Sequence, residues 1–411
     1  MHIIGIVVEY NPFHNGHFYQ IQQIRKKYPG CAIVVVMSGH FSQRGLPCVL
    51  DKFSRSEMAL ACGVDLVLEL PVVYATASAE RFSQAAVSLL HKSGIVDILC
   101  FGSETPDLAL MQDLASLLLE EPPFVSAQIK NYLSQGESYP RARLLSIKEY
   151  LSTYTKDTVD TLETILSSPN NILSIEYLKA LKHLNSPIQP FPIQRHIAGY
   201  HDTTIEGPIA SATAIRQNLA LGEGHKAKGS MPEPAYHLLN QYTPKSINLD
   251  DYSELFHYKM IMSNLESLYA VWDIPSNLCR SLYHASKTLQ PLSEIVNQVT
   301  SKTYTRATVQ RAIIRILLSV QTDDLLALEK LNWIPYIHVL GCNKTSTALL
   351  SLLSQKSEVP LLINVSKDEN NLDDLGQKLF NYELQASKLY ALLSQDAILL
   401  EKDYKYHPIR R

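Results

Sequence analysis

Two histidines three residues apart, His14 and His17 in the stretch HNGH, are the residues whose types and spacing point most directly to chemistry. They follow an apolar run, IIGIVV, so a strand hands a polar turn to a helix. The first N–H groups of a helix lack partners and its dipole favours an anion, which suits such a junction to phosphate. Gly16 lets the backbone approach a ligand, and imidazoles about one turn apart can address the same phosphate. A capped helix with two surface histidines is the plainer alternative, and the preceding strand and internal glycine weigh against it.

Other polar stretches offer partners. SGHFSQRG, with glycines at 39 and 45, leads to Asp51, Lys52 and Arg55 at a helix start. Asp51 can cap that helix, while Lys52 and Arg55, three residues apart, either face a triphosphate together or form a solvated first turn. In FGSE, Gly102 leaves room for a purine or ribose against the backbone, unless the segment is a turn capped by Ser103. Ser168-Pro169-Asn170-Asn171 opens an amphipathic segment, making either asparagine a cap or a ligand-facing amide. Arg195 closes an extended segment, and Ser211, Thr213 and Arg216 open a helix. Hydroxyls plus an arginine at a helix start make a second anion site, the alternative being a plain cap beside a surface arginine.

The elements that must position these residues alternate. Apolar strands are predicted at about 3–9, 32–37, 64–70 and 95–101, separated by segments of helical period. Continuous runs such as AIVVVM and VDLVLEL suit strands buried on both faces of a parallel sheet. Ligands then bind beyond the strands' carboxyl ends, where HNGH, SGHFSQRG and FGSE all fall. With 411 residues, 46% hydrophobic and 19% charged, the chain has room for two or three domains. A net charge of −3 means that any RNA must be held by a local basic patch. The six cysteines show no zinc spacing and read as reduced, buried thiols. No signal peptide or membrane-spanning run is evident, so a cytoplasmic protein is expected.

After about residue 225 the period becomes mainly helical. Lys302, Arg306, Arg311 and Arg315, with Tyr304, surround a helix start and suit RNA phosphates and stacking. They can equally be a solvated face opposite Val309, Ile313 and Ile314. YIHVLGCNK, STALLSLLSQ and PLLINVS suggest a short strand–helix–strand unit.

HNGH together with SATAIR resembles the paired HIGH and I-S-S-T-x-x-R motifs of the HIGH-superfamily nucleotidyltransferases. More narrowly, GIVVEYNPFHNGH, SGHFSQRG, DKFSRSEMAL, VDLVLELP, FGSE, SPNNIL, IEYLKAL and AGYHD, in that order, resemble the bacterial tRNA(Met) cytidine acetate ligase family. That resemblance implies an α/β fold, a Rossmann-like nucleotidyltransferase parallel sheet with a mainly helical C-terminal region. It divides the chain into a catalytic domain (1–225), a helical tRNA-binding region (226–330) and a small α/β region (331–411). It implies that acetate attacks the α-phosphate of ATP, releasing pyrophosphate, and that the acetyl group passes to N4 of the wobble cytidine of elongator tRNA(Met).

The nucleotide site would take in Val7, Val8, Glu9, Tyr10, Asn11, Pro12, Phe13, His14, Asn15, Gly16, His17, Phe18, Tyr19 and Gln20, with Gly102, Asn170 and Arg195. His14 and His17 would act at the α-phosphate. Lys52, Arg55 and Arg216, with Ser211 and Thr213, would hold the pyrophosphate, accompanied by Mg²⁺ bound through phosphate oxygens and water rather than by a protein cage. Ala212 replaces one hydroxyl of the family's second motif. Pro12 and Phe13 are nearest to an acetate pocket, and the 39–45 loop is the expected closing segment. The rival readings are an adenylyltransferase acting on a small metabolite and a non-enzymatic RNA-binding protein.

Overall fold

Apolar residues at successive positions of β2 (Ala32–Ser38) point to opposite faces, and both faces are covered. Val34 and Val36 enter one core with Leu66, Leu68 and Leu89, while Ile33, Val35 and Met37 enter another with Ile4, Ile24 and Met58. A computed structural model describes residues 1–150, 164–166, 168–195, 210–242 and 247–410. The AGYHD motif lies outside them. β2 is central: it pairs in parallel with β1 (Ile3–Val8) and with β3 (Leu66–Leu70), and β1 pairs in parallel with β4 (Ile98–Ser103). The fourth strand begins later than its apolar run suggests. Residues 95–97 are spent closing the connection, with Asp97 accepting from Ile3 N and donating its own N–H to Ile3 O.

Beyond β4 lies β5 (Gln189–Gln194), the extended segment that ends at Arg195. Its two prolines decide its position. Gln189 N donates to Asp97 O just before β4 and Arg195 N to Ser103 O at its end, so the even-numbered Pro190 and Pro192 face the open edge, where no N–H is needed. The other edge departs from an all-parallel sheet. β6 (Ile337–Cys342) runs antiparallel to β3 and pairs in parallel with β7 (Leu361–Leu362) and β8 (Ile409–Arg410). The order is β5-β4-β1-β2-β3-β6-β7, with β8 on β6. The strand–helix–strand unit of the last third therefore extends the N-terminal sheet. Between them the chain is helical, with helices at Glu233–Tyr242, Ser253–Ile261, Ser276–Ala285, Leu292–Val299, Arg306–Leu318 and Thr322–Lys330. All six cysteines are buried thiols outside any disulfide, and among the described residues no helix is long and apolar enough to cross a membrane.

A buried ionic cluster fastens the C-terminal segment to this sheet. Lys52 Nζ lies 2.8 Å from Glu69 on β3, 2.7 Å from Asp403 and 3.6 Å from Glu383 on the 374–394 helix. His338 of β6 meets Glu69 at 2.6 Å. Burial works against the ammonium, but Asp403, Glu69 and Glu383 more than offset it and hold Lys52 above its usual range. Burial and the adjoining Glu69 push Glu383 above the carboxylate range, while Lys52 and the Val72 N–H pull it back. Removing one partner from such a cluster strands the others. Lys52→Ala should cost roughly 3–5 kcal/mol in urea unfolding; a loss below about 1 kcal/mol would show that the cluster does not fasten these elements.

Candidate nucleotide site

At the carboxyl end of β1 the chain turns through Tyr10 (φ +48°) and Asn11–Pro12 into the helix Asn15–Lys27. The two histidines cap that helix reciprocally. His14 Nδ1 accepts from Gly16 N at 3.0 Å, and His17 Nδ1 accepts from His14 N at 3.2 Å. A neutral imidazole that accepts at Nδ1 carries its proton on Nε2, so each ring's remaining donor is Nε2–H. Neutrality is enforced: burial, then the charges of Arg195 and Arg216, push His14 down to about 3, and burial with the neighbouring His14 pushes His17 well below its usual value. The rings stack with centroids 3.8 Å apart, an arrangement that two imidazolium ions would oppose. Gly16 is needed here because a Cβ would stand 2.9 Å from the His14 ring.

Both rings line a cavity of about 880 Å³. From the opening stretch, Val7, Val8, Glu9, Asn11, Gly16 and Gln20 also line it, and Tyr19 lines a narrow extension beside Gly102 and Arg195. Tyr10, Pro12 and Phe13 do not. They are buried beneath the turn, where Tyr10 and Phe13 pack edge to face at 4.7 Å, so Pro12 and Phe13 line neither this cavity nor its extension. Phe18 packs against the second core, and Asn15 Nδ2 donates to Gly229 O.

The neighbouring strand ends deliver the rest. Gly102, at the end of β4, leaves space for Arg195: a Cβ there would lie 3.0 Å from Arg195 Cγ. Arg195 Nη1 donates to Asn170 Oδ1 at 3.1 Å, and Asn170 Nδ2 donates to Glu104 at 2.5 Å. The two asparagines divide the alternatives between them. Asn170 lines the cavity, whereas the fully buried Asn171 accepts from Ser103 Oγ and Glu104 N and so fixes the turn. Across the cavity, Ser211 caps the helix Ala212–Ala220 by accepting from Ala214 N. Arg216 donates to Asn11 O at 2.8 Å and to Thr213 Oγ1 at 3.1 Å, and Ser211, Thr213 and Arg216 all line the wall. Arg195 and Arg216 thus supply positive charge, and the histidines supply neutral donors.

Lys52 and Arg55 are placed otherwise than their spacing suggests. Neither lines the cavity and neither is solvated. Lys52 lies in the carboxylate cluster, and the fully buried Arg55 donates to the carbonyls of Leu50, Glu9, Ser38 and Gly39. The 39–45 loop does face the cavity, through Ser42, Gln43 and Arg44, but Gln43 N is tied to Glu9 Oε1 at 2.8 Å and Val49 N to Asn11 Oδ1 at 2.9 Å. Those contacts join residues more than thirty apart, and no local pattern announces them. The basic residues of 302–315 also separate. Lys302 and Arg306 are exposed, but Arg315 is buried, paired with Asp273 at 2.8 Å and stacked over Trp272, so it is removed from any RNA surface.

A model of the family described as HIGH Nucleotidyl Transferase matches residues 1–404. The tRNA(Met) cytidine acetate ligase of a Thermoanaerobacter species (strain X514) is 35% identical over 412 residues, covering 100% of this chain and 99% of the relative. That of Clostridium perfringens (strain ATCC 13124) is 36% identical over 413 residues, with the same coverage. Among solved structures, Thermotoga maritima TmcAL bound with alpha-thio ATP superposes with a TM-score of 0.89 at 29% identity, and an apo form with 0.91 at 30%; each comparison covers 100% of this chain and 99% of the other.

The buried histidines set a pH dependence. Unfolded, His14 titrates near its ordinary 6.5; folded, near 3, so in between the unfolded chain binds more protons. His338, pushed down to about 4 by burial and Lys52, acts the same way. Their cost is absent above about pH 6.5 and grows as the pH falls toward 3. The urea midpoint should drop between pH 7.5 and 5; a flat or rising midpoint would contradict the neutral assignment.

Proposed function

The chain belongs to the HIGH nucleotidyl transferase family, and from that membership we propose that it is a tRNA(Met) cytidine acetate ligase. The observation that carries the reading is the pair of Nε2–H donors fixed at a helix start, inside a cavity that also takes side chains from the helical half of the chain. ATP lies with its α-phosphate against His14 and His17. Arg195, Asn170 and Gly102 hold the nucleotide, and Arg216 with Ser211 and Thr213 meets the β- and γ-phosphates. A carboxylate oxygen of acetate attacks the α-phosphorus, the bond to the bridging oxygen breaks, and pyrophosphate leaves.

The exocyclic amine of the wobble cytidine of elongator tRNA(Met) then attacks the acetyl carbon. The carbon–oxygen bond breaks, AMP departs and N4 loses a proton, giving N4-acetylcytidine. The protein's part is positioning and charge stabilisation, since phosphoryl-type transfer needs little covalent help. Neutral imidazoles suit this, because they donate to the developing charge without trapping the product as fixed cations would.

Mg²⁺ enters as the companion of ATP. Among the described residues no three His, Cys, Asp or Glu side chains gather as metal ligands, and the cavity carboxylates Glu9 and Glu104 already accept hydrogen bonds from the chain. The residues therefore do not fit a protein-built metal cage, and no step is assigned to the ion. Residues 1–225 form the catalytic part in this reading, with 226–330 facing tRNA and 331–411 completing the sheet. The setting is the cytoplasm, which suits six buried cysteines that form no disulfide.

Incubation with ATP, labelled acetate and tRNA, followed by digestion to nucleosides, should yield labelled N4-acetylcytidine. Label appearing only with another acid, or never in RNA, would overturn the reading. His17→Ala should lower acetate-dependent ATP–pyrophosphate exchange by about 10²–10³-fold, as loss of one charge-stabilising donor does elsewhere. Its affinity for tRNA should be retained; unchanged exchange would remove His17 from the reaction.

A further inference from the structure

The Arg306–Leu318 helix contributes two polar side chains to the cavity wall, Arg306 and Gln310. Four residues apart, they share one face of the helix. Gln310 is 6% exposed, yet its carboxamide makes no hydrogen bond to any described residue. Because Gln310 lines the cavity, its carboxamide keeps both donor and acceptor available to a bound ligand. Its aim is fixed by the backbone beneath it. Val309 and Ile313 are buried on either side in sequence, and Gly45, at φ +72°, brings the 39–45 loop so close that a Cβ there would stand 2.8 Å from the carbonyl carbon of Gln310 and 2.7 Å from Arg311 N. An amide held on this backbone and facing the cavity is placed for a partner with a donor beside an acceptor.

Resting on the ligase reading above, we infer that Gln310 is the residue that receives the acceptor base: its Oε1 accepts from the cytosine N4 amine and its Nε2 donates to cytosine N3. Cytosine's pairing edge sets an amino donor next to a ring acceptor, the same order that makes glutamine a bidentate partner for adenine's N6 and N7. Holding one N4–H in place turns the nitrogen toward the acetyl carbon while the second proton stays free to leave. Arg306, exposed one turn away with a single contact to Asn297 Oδ1, is placed to meet the phosphate of the same nucleotide. The remote helical half thereby contributes directly to the second chemical step.

The test uses the full-length protein as wild type, Gln310→Leu, Gln310→Glu and Arg306→Ala. Acetyl transfer to tRNA should fall about ten- to a hundredfold in Gln310→Leu, the range of a good bidentate base contact. Gln310→Glu, which keeps an acceptor for the N4 amine but sets a second carboxylate oxygen against the N3 lone pair, should stay well below wild type. Arg306→Ala should raise the KM for tRNA more than it lowers kcat. In all three, acetate-dependent ATP–pyrophosphate exchange should stay within about twofold of wild type, which also reports that they fold. Transfer unchanged in Gln310→Leu, wild-type transfer in Gln310→Glu, or exchange falling in step with transfer would overturn this assignment alone. A wild-type protein that leaves tRNA unacetylated would overturn the ligase reading, and this assignment with it.

Discussion

The shape of the site rests on one buried guanidinium. Arg55 receives no carboxylate among its described hydrogen bonds; it gathers instead the carbonyls of Glu9, Ser38 and Gly39, where strands β1 and β2 end, and that of Leu50 just before its own helix. Buried backbone acceptors need partners, and a five-donor fork can supply several from one position. By doing so Arg55 binds the two strand ends to each other and to the 52–61 helix. The turn that presents His14 and the loop that carries Gln43 are therefore fixed relative to one another before any ligand arrives. Gln43 N to Glu9 and Val49 N to Asn11 add the finer ties.

That arrangement explains why the sequence was legible in some places and not in others. The strand–turn–helix at HNGH is local: period, glycine and capping residues all lie within one window, so the junction could be read directly. β5 was visible as an extended segment, and its prolines determine that it is an edge. Lys52 and Arg55 misled because helical spacing tells which side chains share a face, not what that face meets. Their partners, Glu69, Glu383, Asp403 and the strand-end carbonyls, lie far away in sequence. Arg315 deceived for the same reason, since Asp273 and Trp272 are some forty residues distant. Asn170 and Asn171, indistinguishable in sequence, differ in space because only one side of the helix start faces the cavity.

Charge is also distributed differently from what residue types alone suggest. Histidines in a phosphate site invite the picture of paired cations, but burial and the reciprocal caps make them neutral donors, and the positive field comes from Arg195 and Arg216. Such a site meets charge that develops during reaction with dipoles that need not reorganise. The helical half, read from sequence as an RNA platform or a solvated face, shares the cavity wall with the histidines, so the proposed activation and acceptance of the acyl group would share one chamber.

The central claim is that acetate becomes a mixed anhydride with AMP in this cavity. Its most direct test is a single turnover with doubly ¹⁸O-labelled acetate, ATP and tRNA, with the released AMP analysed by mass spectrometry. Attack of acetate on the α-phosphorus, followed by transfer of the acetyl group, leaves one acetate oxygen on AMP, so AMP should carry a single ¹⁸O for each acetylcytidine formed. Unlabelled AMP beside acetylated tRNA would show that the acetyl group travels by another route and would contradict the account.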